Sequence, residues 1–124
     1  MTKFSADRPI YTQIIDLVQV RIVTGVYLPE SKLPSVRDLA VELGVNPNTV
    51  QRAFSGLEQS GLVRCELTSG RFVTDCVQLI KDVRQKLLKE QTEDYVKNMR
   101  HYGCSSTEIC DLVCLCAEQT EATS

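Results

Sequence analysis

Two groups of side chains in this 124-residue chain have types and spacings that could do chemistry. The first lies in the run Asn46-Pro47-Asn48-Thr49-Val50-Gln51-Arg52-Ala53-Phe54-Ser55. Val50, Ala53, Phe54 and Leu57 recur at i, i+3, i+4 and i+7, which predicts a helix with one buried face. The opposite face then carries Asn48, Thr49, Gln51, Arg52 and Ser55. Amides, hydroxyls and a guanidinium are the groups that hydrogen-bond base edges in a DNA major groove. The second group is Cys104, Cys110, Cys114 and Cys116, with His101 nearby. Cys110 and Cys114 share a helix face at i, i+4 and could clasp a soft metal or sense oxidation. Their spacing matches no common ligand pattern. Cys116 also falls in register with Ile109, Leu112 and Val113, on the expected buried face. We therefore expect core or interface packing for these thiols, with no cofactor. A thiol- or metal-responsive role stays as the alternative. His101 is expected as a cation at a helix C-terminus, and Cys65 and Cys76 as packing residues.

Several elements must position the first group. Asp7 before Arg8-Pro9 predicts a capped first helix with Ile10, Ile14, Leu17, Val18 and Ile22 along one stripe and Gly25 as its stop. A proline-containing loop leads to Ser35, which with Asp38 predicts the capped start of a short second helix. Val36, Leu39, Ala40 and Leu43 form its apolar face, and Gly44 ends it. Asn46-Pro47 is a cap followed by proline at the first helical position. Leu62–Leu67 and Arg71–Thr74 read as two short strands around a turn at Thr68-Ser69-Gly70. From about 77 to 101 the pattern is helical again. Tyr102-Gly103 breaks it, and Ser105 with Glu108 opens a last helix. The fold class is mainly α: a winged helix-turn-helix DNA-binding domain over residues 1–75, followed by a two-helix dimerisation region over 76–124.

This arrangement extends the list of candidate binding residues. Ser35 and Asn46 stand at helix starts, whose free N–H groups suit phosphate. Arg37 lies in the first turn of the second helix. Arg64, Gly70 and Arg71 belong to the hairpin, where a wing can touch a neighbouring groove. The plainer alternative is a solvated polar helix face, but the surrounding topology fits DNA docking. A protein-docking module would carry apolar residues in place of Asn48, Gln51 and Arg52.

Composition bounds the reading. The hydrophobic fraction is 43% and the charged fraction 24%, ordinary values for a globular chain. A net charge of −2 excludes a polybasic, purely electrostatic nucleic-acid binder. Residues 1–75 hold eight Lys+Arg and eight Asp+Glu, so DNA binding requires the charges to segregate. Arg37, Arg52, Arg64 and Arg71, with Lys3 and Lys32, would have to share a face. A monomer so balanced binds weakly, and a two-fold dimer doubles its contacts. Phosphate-cradling loops, metalloprotease motifs and local catalytic signatures are absent, so no enzyme is expected. No apolar run approaches a membrane span, and the N-terminus has no signal-type stretch. A cytoplasmic chain with reduced thiols is the expectation.

The stretches Leu33-Pro34-Ser35-Val36-Arg37-Asp38-Leu39-Ala40, Gly44 through Phe54, Leu57-Glu58 and Gly61-Leu62-Val63 together resemble the DNA-binding domain of GntR-family transcriptional regulators. Pro9 through Ile14 resembles that family's first-helix motif, and the likeness covers about residues 8–74. The short two-helix C-terminal part resembles the YtrA subfamily, whose members dimerise through that region and lack a large effector domain. The resemblance implies operator-specific binding to double-stranded DNA, usually repression, by a homodimer on a pseudo-palindrome. It implies major-groove contacts from Asn46, Asn48, Thr49, Gln51 and Arg52, with Arg37 contacting DNA from the preceding helix. It names no small-molecule effector. Two departures stand out. Members often have Pro-Gly where this chain has Glu30-Ser31. The wing commonly has two glycines flanking its tip, and here only Gly70 remains, which implies a shallower wing.

Overall fold

A computed structural model describes residues 4–123. Its elements run α1 (Ile10–Val23), α2 (Val36–Leu43), α3 (Pro47–Gln59), β1 (Val63–Glu66), β2 (Gly70–Val73), α4 (Val77–His101) and α5 (Ser106–Thr123). The chain forms two compact units, one through Arg84 and one from Gln85 onward.

In the first unit, local signals set the helix ends. The Ser35 hydroxyl accepts the Asp38 N–H at 3.0 Å, and Gly44 closes α2 in the left-handed region at φ +68°. Asn46 Oδ1 accepts the Asn48 N–H at 2.8 Å, with Pro47 first in α3. Each cap satisfies a donor that the helix leaves orphaned. The cap expected of Asp7 does not form. Pro9 occupies the N-cap position in an extended conformation, so Asp7 lies too far upstream and accepts from the Ser5 hydroxyl instead. Gln13 ties this entry down. Its Nε2 donates to the carbonyls of Ser5 and Arg8 at 2.8 and 2.9 Å.

The core gathers Ile14, Val18 and Ile22 of α1, Leu39 and Leu43 of α2, and Val50, Ala53, Phe54 and Leu57 of α3. Leu62, Val63 and Val73 close it from the hairpin. Each fully buried side chain of this size contributes roughly 1.5–3 kcal/mol. The strands pair antiparallel with Val63 opposite Val73 and Glu66 opposite Gly70. The loop before α2 is sewn to β2: Leu33 N–H donates to the Arg71 carbonyl at 2.8 Å and Val73 N–H to the Ser31 carbonyl at 2.9 Å. This seam fixes the wing beside the start of α2. It also holds Glu30 at φ +65°, a left-handed conformation that costs a non-glycine residue energy. Beyond Val63 the hairpin projects from the core. Cys65 is therefore exposed, and so is Cys76 in the link to α4; neither packs as expected.

The expected division at 75/76 falls just before α4. The compact unit nevertheless runs on to Arg84, because Leu79, Ile80 and Val83 of the first α4 turns pack against the core.

The second unit holds the rest of α4 and α5. Gly103, at φ +84°, makes the turn between them, and the Ser105 hydroxyl accepts the Glu108 N–H at 3.2 Å. Ile109 is buried, and Val96 and Met99 are half-buried. Cys116, expected on a buried face, is exposed along with Leu112, Val113 and Leu115. A helix with one neighbour in its unit buries only a narrow stripe. No described helix is long and apolar enough to cross a membrane.

Candidate nucleic-acid interface

With Val50, Ala53, Phe54 and Leu57 turned inward, α3 presents Asn48, Gln51, Arg52 and Ser55 to solvent, with Thr49 half-buried. Some of these polar groups are already engaged. Asn46 Oδ1 caps its own helix, and the Ser55 hydroxyl donates to the Gln51 carbonyl at 3.1 Å. Among the described residues the Asn48 and Gln51 side-chain amides have no partner. They are available to a ligand.

Ion pairing sorts the arginines. Arg8 meets Asp16 at 2.8 Å, Arg21 meets Glu42 at 2.5 Å, Arg64 meets Glu66 at 3.5 Å, and Arg71 meets Glu58 at 2.6 Å. Arg21 also donates to the Tyr27 hydroxyl at 2.6 Å. Its hydrogen bond to Glu42 comes first in holding its pKa above the ordinary arginine value. Arg37 and Arg52 have no carboxylate partner among the described residues. The zero balance of residues 1–75 thus conceals a division. Four of their acids pair with four of their arginines, and Arg37 on α2 and Arg52 on α3 are left outside these pairs.

Arg52 is also oriented. Its guanidinium carbon sits 3.8 Å from the centroid of the Tyr11 ring on α1. Pro9, Ile10 and Tyr11 line one groove with Asn48, Thr49 and Arg52. A second groove runs between Lys32–Arg37 and Thr68–Arg71. It brings Ser35, Arg37 and Gly70 together at the junction of α2 and the wing. Gly70 has φ +107°, a conformation that favours glycine, and a Cβ there would stand 3.0 Å from Cε of the exposed Lys32 side chain.

Residues 10–73 match the model for "Bacterial regulatory proteins, gntR family". The chain belongs to the gntR family. It is a DNA-binding transcriptional regulator. It is 31% identical over 96 residues to the HTH-type transcriptional repressor YtrA of Bacillus subtilis, covering 77% of this chain and 74% of that protein. A GntR family transcriptional regulator from Listeria monocytogenes has the same fold, with a TM-score of 0.84 and 34% identity over 89% of this chain and 96% of that one. The AraR DNA-binding domain, solved in complex with operator ORX1, matches with a TM-score of 0.53 and 28% identity over 60% of this chain and 90% of that one.

On this gntR-family framework the remaining candidates fall into different places. Arg71 turns away from the wing surface. Its Nε donates to Glu58, its guanidinium carbon lies 5.1 Å from the Phe54 ring centroid, and its side chain is only 20% exposed. It therefore ties β2 to the C-terminal half of α3. Arg64 lies along β1, with Phe72 at 5.2 Å and Glu66 beside it. The tip of the wing ends in Leu67, which is fully exposed. Cys104, Cys110, Cys114 and Cys116 do not converge. Among the described residues no three His, Cys, Asp or Glu side chains are grouped to hold a metal. Burial, followed by the charge of Glu108, pushes the Cys104 thiol up, away from the reactive thiolate.

Sequence reasoning missed three contributors: Tyr11 beneath Arg52, Glu58 as the anchor of Arg71, and Lys32 against Gly70. From sequence Tyr11 only stands beside the apolar stripe of the first helix. Only the packing of α1 on α3 reveals its second face.

Proposed function

We propose that this gntR-family chain is a homodimeric repressor that binds a pseudo-palindromic operator. In this reading α3 lies in the major groove. Asn48, Thr49, Gln51 and Arg52 read base edges, and the helix starts at Ser35 and Asn46 meet phosphates. Arg37 contacts DNA from α2. Arg64 and Gly70 lie along the backbone with the wing, and Arg71 holds the wing in register without reading sequence. The observation that carries this is the division of the arginines. Among the described residues Arg37 on α2 and Arg52 on α3 form no ion pair, and α3 also carries the two unpartnered amides, while Arg8, Arg21, Arg64 and Arg71 are each paired with a carboxylate.

The second unit supports dimerisation. Its described residues contribute only Ile109 to the buried apolar set, and Leu88, Tyr95, Leu112, Val113 and Leu115 stay exposed. Two helices with that much uncovered apolar surface are completed by a second copy, and a two-fold dimer matches a two-fold operator. The named repressor YtrA aligns over both regions.

Fluorescence anisotropy with operator DNA tests the contacts. Gln51→Ala and Arg52→Ala should each weaken specific binding by about 1–3 kcal/mol, and Arg37→Ala should lower the salt slope by about one. Unchanged affinity in all three variants removes this face from the readout. Light scattering behind size exclusion should give twice the 13.9 kDa chain mass. A monomer that binds operator tightly contradicts the dimer.

A further inference from the structure

Arg52 is the only arginine of α3, and it does not stand free in solvent. At 3.8 Å from the centroid, its guanidinium carbon stacks over the Tyr11 ring. Stacking uses the face of the guanidinium and leaves its N–H donors pointing outward in the plane. No carboxylate takes those donors among the described residues, unlike those of Arg8, Arg21, Arg64 and Arg71. The ring itself is held by its backbone. Pro9 enters α1 at φ −55°, Tyr11 follows in the first turn, and α1 packs on α3 through Ile14 and Ile15. The result is a cation whose plane is set before any ligand arrives and whose donors are all available.

Bidentate recognition of guanine needs that condition. The O6 and N7 acceptors lie in the base plane, and a guanidinium meets both only when its own plane is aligned. A mobile arginine must lose its rotamer freedom on docking, whereas a stacked one has already lost most of it.

We propose that Tyr11 is a positioning residue for DNA recognition. Its ring presets the Arg52 guanidinium to meet a guanine edge, which makes the first turn of α1 part of the specificity apparatus. This rests on the reading of α3 as the major-groove element.

The test is a double-mutant cycle in the full chain with Tyr11→Phe, Tyr11→Leu, Arg52→Ala and the Tyr11→Leu/Arg52→Ala pair. Each protein is titrated against the selected operator, against operators with each G·C pair replaced in turn, and against unrelated duplex. Tyr11→Phe keeps the ring and should bind within about twofold of the parent. Tyr11→Leu should lose about fivefold or more on the operator, lose discrimination at the same G·C pair that Arg52→Ala affects, and keep its affinity for unrelated duplex. In the Arg52→Ala background, Tyr11→Leu should cost nothing further. The positioning role is overturned if the two losses multiply in the double variant, or if Tyr11→Leu retains full discrimination at that pair. Those results leave the α3 reading standing when Arg52→Ala itself weakens operator binding. If Arg52→Ala changes neither affinity nor discrimination, the base-reading role of Arg52 falls and the positioning role falls with it.

Discussion

The two compact units treat their apolar residues differently. The first turns Ile14, Val18, Leu39, Leu43, Phe54, Leu57 and their neighbours into a closed core, with residues such as Phe54 at 1% exposure. Among its described residues the second leaves Leu112, Val113 and Leu115 at 36–52% exposure and buries Ile109 alone of its apolar side chains. The two parts are therefore built for different tasks. The first is complete as a fold and offers solvent a polar, partly charged face. The second has the secondary structure of a bundle without the surface coverage of one. In the proposed dimer a second copy supplies that coverage.

Four changes test this contrast, in order of expected effect. Phe54→Ala should lower the stability of the first unit by about 3–5 kcal/mol in chemical denaturation. Leu115→Ala should leave that transition in place and raise the dimer dissociation constant instead. Equal destabilisation of the first unit by both would erase the distinction. Next, a chain ending at Arg84 should remain folded and monomeric, with operator affinity reduced about 10²-fold or more for want of the second half-site contact. A chain cut at residue 75 should be less stable than one cut at 84, because it lacks Leu79, Ile80 and Val83. Persistence of a dimer in the 84-residue form would move the interface into the first unit.

The third change concerns the wing. Arg71→Ala removes a half-buried pair with Glu58 and the packing on Phe54, and should cost roughly 1 kcal/mol of stability. Its operator discrimination at individual base pairs should match the parent. Loss of discrimination at one pair would make Arg71 a reader instead. The smallest effect is a gain. Glu30→Gly relieves the left-handed strain at φ +65° and should raise stability by about 0.5–1 kcal/mol, after allowing for glycine's greater freedom when unfolded.

What could be read from the sequence was what local rules govern. Ser35, Asn46-Pro47 and Gly44 mark helix boundaries through hydrogen bonds and φ angles confined to a few consecutive residues. Both helices of the turn, the hairpin and the polar face of α3 followed from those marks and from a 3.6-residue period. The roles of individual arginines were not legible. Arg64 and Arg71 look equivalent as wing cations, yet Arg71 is committed to Glu58, 13 positions away on another element. Arg52 gains its orientation from Tyr11 by the same kind of non-local packing. Asp7 misled because a side chain can cap only from the N-cap position, and Pro9 holds it. Cys65 misled because a strand pattern tells which way a residue faces, not whether anything covers that direction.

The most direct test is selection of duplexes bound by the full chain from a random pool, followed by sequencing. A two-fold dimer that reads bases through α3 should enrich two inverted copies of one short motif, with centres about one helical turn or a multiple of it apart. The motif should contain a guanine whose replacement affects the parent but not the Arg52→Ala variant. No enrichment, or a single asymmetric motif held by one protomer, would contradict operator reading by a dimer.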